Sequence, residues 1–115
     1  MDLGRFELCL KVKDLQRSID FYSKLGFRLV SSNLDSGWAT LEYRNLVIAL
    51  YQGHINQNLL NFRGGDVYAI AAELQEKGLK FKSDARIEQD GSAGAIIEDP
   101  DGNVIYFNTS PEEVE

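Results

Sequence analysis

Disulfides, membrane spans and a basic patch are all missing from this 115-residue chain. One cysteine, Cys9, excludes an intrachain disulfide and points to a reducing, cytoplasmic compartment. One histidine, His54, makes a zinc or iron centre built on imidazole an unexpected feature. No apolar run approaches the roughly 18 residues of a membrane span. The opening stretch "MDLGRFELCLKVKD" has no basic region leading into an apolar segment, so no export signal is expected. A net charge of −6, with no lysine or arginine stripe, argues against nucleic acid as a partner. It favours solubility and, secondarily, a cationic ligand. An apolar share of 43% suits one soluble domain with a real core.

What is present is a pattern used twice. In "FELCLKVKD", Phe6, Leu8, Leu10 and Val12 alternate with Glu7, Cys9, Lys11 and Lys13, which predicts a strand with one apolar face. Asp14 then reads as the N-cap of "LQRSIDFYSKL", where Leu15, Ile19, Tyr22 and Leu25 form a helical stripe and Gly26 ends the helix. Strand candidates follow at "FRLVSS", "GWATLEY" and "LVIALY". The second half repeats the order. "LLNFRG" is a strand and Asp66 an N-cap. Val67, Ile70, Ala71 and Leu74 form the stripe, and Gly78 is the stop. Strands follow around "KFKSDARIE", "AGAIIED" and "NVIYFNT". A 52-residue offset relates Leu8 to Leu60, Asp14 to Asp66 and Gly26 to Gly78.

The spacing therefore predicts an α+β protein of two βαβββ units, residues 5–51 and 59–109, joined by the polar linker "QGHINQN" at 52–58. One helix covers only one face of four strands, so the other face must meet something else. Two curved sheets set edge to edge would form an eight-stranded mixed sheet around a cup, with the helices outside. Between the last two strands, "EDPDGN" is turn chemistry. Pro100 presets φ, Asp99 and Asp101 can accept from nearby amides, and Gly102 tolerates a left-handed conformation.

"LCLKVKDLQRSIDFYSKLGF", "DVYAIAAELQEKGLKF" and "EDPDGNVIYF", in that order, resemble the vicinal oxygen chelate superfamily of glyoxalase I, extradiol dioxygenases, fosfomycin-resistance enzymes and bleomycin-resistance proteins. The likeness runs over residues 5–109. Metal-dependent members hold a divalent ion on the cup floor with His, Glu or Gln. The resemblance puts those positions at Glu7, Ala49, Leu59 and Tyr106. Only Glu7 is a plausible ligand among them, so neither a metal nor another cofactor is expected.

Alternation then assigns the cup lining. Glu7 and Cys9 come from the first strand, and Trp38 and Thr40 from "GWATLEY". Ala49 and Tyr51 come from "LVIALY", and Leu59, Asn61 and Arg63 from "LLNFRG". Val104, Tyr106 and Asn108 come from the last strand, whose Ile105 and Phe107 turn toward the helices. An aromatic, apolar lining with a few polar groups is the usual make-up of a small-molecule site. A carboxylate at Glu7 suits a counter-ion for a cationic ligand, and equally a general base. Cys9 reads as a small apolar filler, because no base is available to activate it. His54 reads as a solvated linker residue or a lid over the cup.

Two functions follow from the resemblance. One is metal-free binding or sequestration of a small, flat, cationic or neutral aromatic molecule. The alternative is a lyase, isomerase or dioxygenase with altered ligands or with Glu7 as base. The family likeness further implies a homodimer, and the lack of a long apolar run implies no membrane partner.

Overall fold

A computed structural model describes residues 1–111. The elements are β1 (Gly4–Lys11), α1 (Leu15–Lys24), β2 (Arg28–Asn33), β3 (Trp38–Tyr43), β4 (Leu46–Tyr51), β5 (Leu59–Gly64), α2 (Val67–Glu76), β6 (Ser83–Ile87), β7 (Ala93–Glu98) and β8 (Val104–Thr109). This is the expected order, strand, helix and three strands, twice. The hydrogen-bonded strand order is β2-β3-β4-β1-β5-β8-β7-β6 in one eight-stranded mixed sheet. No helix among the described residues is long and apolar enough to cross a membrane.

Both helices start and stop by the same local chemistry. Asp14 accepts from the Arg17 amide, and Asp66 from the Ala69 amide, each at 3.1 Å. These side chains satisfy N–H groups that the first turn leaves without an intrahelical partner. At the other end, Gly26 takes φ +108° and Gly78 φ +91°, which any residue with a Cβ resists. The following amides turn back, Phe27 to the Tyr22 carbonyl and Leu79 to the Leu74 carbonyl, and close the helix ends. Leu25 does not extend the α1 stripe as the sequence suggested. It is the last residue before the left-handed glycine, its side chain falls outside the buried stripe, and it is exposed.

Two compact units divide the chain, Glu7–Leu59 on one side and Met1–Phe6 with Leu60 onward on the other. In the first, β1 pairs with β4 in parallel (Leu8 beside Ile48), and β3 joins β4 to β2 by antiparallel pairing. Leu15 and Ile19 of α1 pack with Ala39, Leu41, Ile48 and Leu50, and Leu8, Leu10 and Val12 lean on that cluster. The linker is more than a spacer. Gln52 Oε1 accepts from the Leu15 amide at 2.8 Å, and Asn58 Oδ1 accepts from the Lys11 amide at 2.8 Å.

In the second unit, β5 pairs with β8 in parallel (Leu60 beside Ile105), and β7 joins β8 to β6. Val67 and Ile70 pack with Ala95, Ile97 and Phe107. The N-terminal arm belongs here. The Phe6 ring lies 5.4 Å from that of Phe62, and a Cβ on Gly4 would sit 2.4 Å from the Arg63 carbonyl oxygen. The alternation of "FELCLKVKD" is therefore real, but Phe6 serves a different cluster from Leu8 and Leu10.

At the β7–β8 turn, Asp99 accounts for nearly everything. Its carboxylate accepts from the Asn103 side chain and amide and from the Asp101 amide. The hydrogen bonds from Asn103 hold that carboxyl below the usual carboxylate range. Asp101 contributes its amide to Asp99, rather than the acceptor role expected of its side chain.

Cap loss and core loss separate in size. Asp14→Ala and Asp66→Ala should each lower the unfolding free energy by about 1 kcal/mol in urea titrations. Leu41→Ala, at a fully buried position, should cost about 2–5 kcal/mol. Neutral Asp→Ala variants would remove the capping argument.

Candidate functional site

The strand faces that the helices do not cover carry the polar and aromatic residues assigned by alternation. In the first unit, register aligns Cys9, Ala49 and Thr40 in one row, and Lys11, Tyr51 and Trp38 in the next. Cys9 and Ala49 are buried, whereas Trp38, Thr40, Tyr51 and Glu7 are half-buried. Glu7 precedes Cys9 by two residues on β1 and so shares its face. Leu59, at the end of this unit, is half-buried. His54 lies beside Tyr51, ring centroids 5.9 Å apart, and its Nε2 contacts the Ser36 carbonyl oxygen. It ties the linker to the β2–β3 turn.

The second unit holds the more developed arrangement. Asn61 pairs with Tyr106, and Arg63 with Asn108, across β5 and β8. On the other side of β8, Gly94 pairs with Asn108 and Ile96 with Tyr106. Ile105 and Phe107 turn to the α2 cluster, so Tyr106 and Asn108 occupy the opposite face, as expected.

Tyr106 defines this face. Its ring lies across Gly94, where a Cβ would meet the phenol oxygen at 2.8 Å and Glu88 Oε1 at 2.5 Å. Glycine in the middle of β7 is thus a space requirement for the tyrosine. The hydroxyl donates to Glu88 Oε1 at 3.3 Å, and Glu88 also pairs with Arg86 at 3.2 Å. Burial, then the adjacent Glu88 charge, pushes the Tyr106 phenol up to about 12. The ring is a neutral hydrogen-bond donor at any physiological pH.

Glu88, Arg86 and Gly94 were not singled out in the sequence. A glycine inside the alternating strand "AGAIIE" was the one available signal, since it marks a close approach to a backbone. Glu88 reaches the site because the β6–β7 turn folds back on itself, Glu88 donating its amide to the Ser92 carbonyl at 2.7 Å.

A separate groove of about 510 Å³ runs beside the start of α1, lined by Lys11, Lys13, Arg17, Phe21 and Asn58 among others. It meets the first unit's polar face only at Lys11. Its three cations are solvent-exposed, where water and salt screen them. The described residues with unpartnered buried side-chain atoms, Asn61 and Asn108, lie elsewhere. The Tyr106 face is therefore the stronger candidate.

A family model for the Glyoxalase/Bleomycin resistance protein/Dioxygenase superfamily matches residues 4–107. The chain belongs to that superfamily. Solved structures agree in fold. A superfamily member from Vibrio splendidus 12B01 has TM-score 0.66 and 15% identity, over 92% of this chain and 98% of that one. A protein described as NAD-dependent benzaldehyde dehydrogenase from Legionella pneumophila has TM-score 0.76 and 16% identity, over 91% and 98%. A hypothetical protein from Bacillus halodurans C-125 has TM-score 0.68 and 16% identity, over 95% of each chain. At these identities the likeness is one of fold. A search of functionally curated proteins returned no match.

The divalent ion of metal-dependent superfamily members does not fit the residues present. Ala49 and Leu59 carry no donor atom. Tyr106 is a protonated phenol already bonded to Glu88. Among the described residues, no three His, Cys, Asp or Glu side chains gather to hold an ion.

The Tyr106 arrangement has a pH signature. A phenol with a raised folded-state pKa leaves stability intact below about pH 10, the unfolded value. Stability then falls as pH rises from there through about 12, because the native state retains the proton that the unfolded chain gives up. The wild-type minus Tyr106→Phe difference in ultraviolet absorbance should titrate near 12, and Tyr106→Phe should lose less stability above pH 10. Glu88→Gln should move that titration down. A phenol titrating at 10 would contradict the geometry.

Proposed function

We propose that this superfamily member is a metal-independent binder of small, flat, cationic or neutral aromatic molecules, acting by sequestration. The observation that carries the reading is Tyr106. At the position where the family likeness puts a metal ligand, a neutral phenol lies over Gly94 and is held by Glu88. A fixed ring beside a carboxylate offers stacking and polar anchoring without chemistry at a metal. Trp38 and Tyr51, adjacent in register, give the first unit a second aromatic surface. Each aromatic contact contributes on the order of 1 kcal/mol, so micromolar binding, about 8 kcal/mol, requires apolar burial as well.

The reading includes a cytoplasmic location, supported by the single buried cysteine. It also includes a homodimer. All six residues of β2, the first strand in the sheet order, are exposed, with Leu29 and Val30 among them. An uncovered apolar edge favours pairing with a second copy. Light scattering should give twice the 12.9 kDa chain mass at micromolar concentration, and Val30→Lys should halve it. A wild-type mass of one chain would remove the dimer.

Function is tested by calorimetric screening of flat aromatic cations and neutral compounds against chelator-treated protein. Binding should survive chelation and weaken roughly tenfold in Tyr106→Ala, from lost stacking and burial. Binding that appears only with an added divalent ion, or turnover of a bound compound that Glu7→Gln abolishes, would replace sequestration with the lyase, isomerase or dioxygenase reading.

A further inference from the structure

Two carboxamide oxygens on the Tyr106 face find no hydrogen-bond donor among the described residues. Asn61 is only 3% exposed, and neither its Oδ1 nor that of Asn108 has a hydrogen-bond partner among the described residues. Buried polar atoms in folded proteins are satisfied in the great majority of cases, so an unsatisfied one calls for a physical reason. Two on a single face call for a shared one.

Their placement suggests it. Asn61 stands beside Tyr106, and Asn108 stands two residues further along β8, so the two carboxamides are diagonal neighbours on parallel strands. Strand spacing and rise put their Cα atoms about 8 Å apart. Both orphan atoms are acceptors, and Glu88, which holds the Tyr106 hydroxyl, is an acceptor too. Arg63, paired with Asn108 in register, is the neighbouring group that favours a carboxylate, and a carboxylate bound there would still leave both carboxamide oxygens without a donor. A planar group with N–H bonds on two edges would satisfy both oxygens while its ring lies against Tyr106.

We infer that Asn61 and Asn108 select ligands by an N–H-bearing head group (amidinium, guanidinium or primary carboxamide) attached to a flat ring. This rests on the binding role proposed for the same face and adds the chemical class of what is bound. A side chain kept to await a ligand is a liability in the empty protein, and an apolar group of similar shape can replace it at little cost or with a gain. A side chain satisfied by a buried structural water would behave in the opposite way.

Benzamidinium, benzamide and benzoate share a ring and differ in the head group. They are titrated against the full chain by amide NMR, in wild type, Asn61→Leu, Asn108→Leu and Asn108→Asp. Wild type should bind the two N–H-bearing compounds roughly tenfold or more tightly than benzoate, and both leucine variants should erase that preference. Asn108→Asp keeps an acceptor and adds charge, so it should tighten benzamidinium specifically. The ligand-free melting temperatures of the leucine variants should match or exceed wild type. Binding without the N–H preference, or a preference unchanged in the variants, overturns this inference and leaves the binding role standing. A melting temperature several degrees lower in the leucine variants, with ligand order unchanged, assigns the carboxamides a structural role and overturns it as well. Failure of all three compounds to bind overturns both.

Discussion

One ten-residue helix for every four strands is the constraint on which the rest of this protein depends. A helix of that length buries one face of its strands and cannot reach the other. The apolar members of each alternating strand therefore go to the helix, as Ala39, Leu41, Ile48 and Leu50 do in the first unit and Ala95, Ile97 and Phe107 in the second. The residues that alternation leaves behind make up the faces the helices do not cover.

In the second unit those residues form an arrangement with its own internal logic. Tyr106 can lie across β7 only because residue 94 has no side chain, and its hydroxyl is positioned because the β6–β7 turn returns Glu88 to it. Of the four positions where the superfamily resemblance places metal ligands, Glu7 keeps a carboxylate, and the other three are a buried alanine, a leucine and a protonated phenol. The superfamily assignment and the fold follow from the chain as a whole, while the reading of function depends on this one face.

The fold was legible because its punctuation is local. Asp14 and Asp66 cap helices through amides three residues away, and Gly26 and Gly78 stop them through their own φ angles. Alternation of period two sorted each strand into a helix side and a free side without knowledge of its neighbours. The period misled where it ran past an element's end, and was silent where a residue's role depends on a distant partner. Leu25 fits the helical period but falls past the last turn, and Phe6 fits the strand period but packs with Phe62. Gln52 and Asn58 read as linker polarity, yet their acceptors serve amides some forty residues away.

The sequence by itself determined the elements, their duplicated order, the capping residues and which side chains share a strand face, because each depends on dihedral preferences and spacing within a few residues. Only the tertiary structure decided what those faces contain. The strand register that sets Asn61 beside Tyr106 and Asn108 beside Gly94, and the turn that delivers Glu88, are pairings across roughly 15 to 45 residues of chain. Such pairings are selected by how apolar cores close, and neither propensity nor period contains that information.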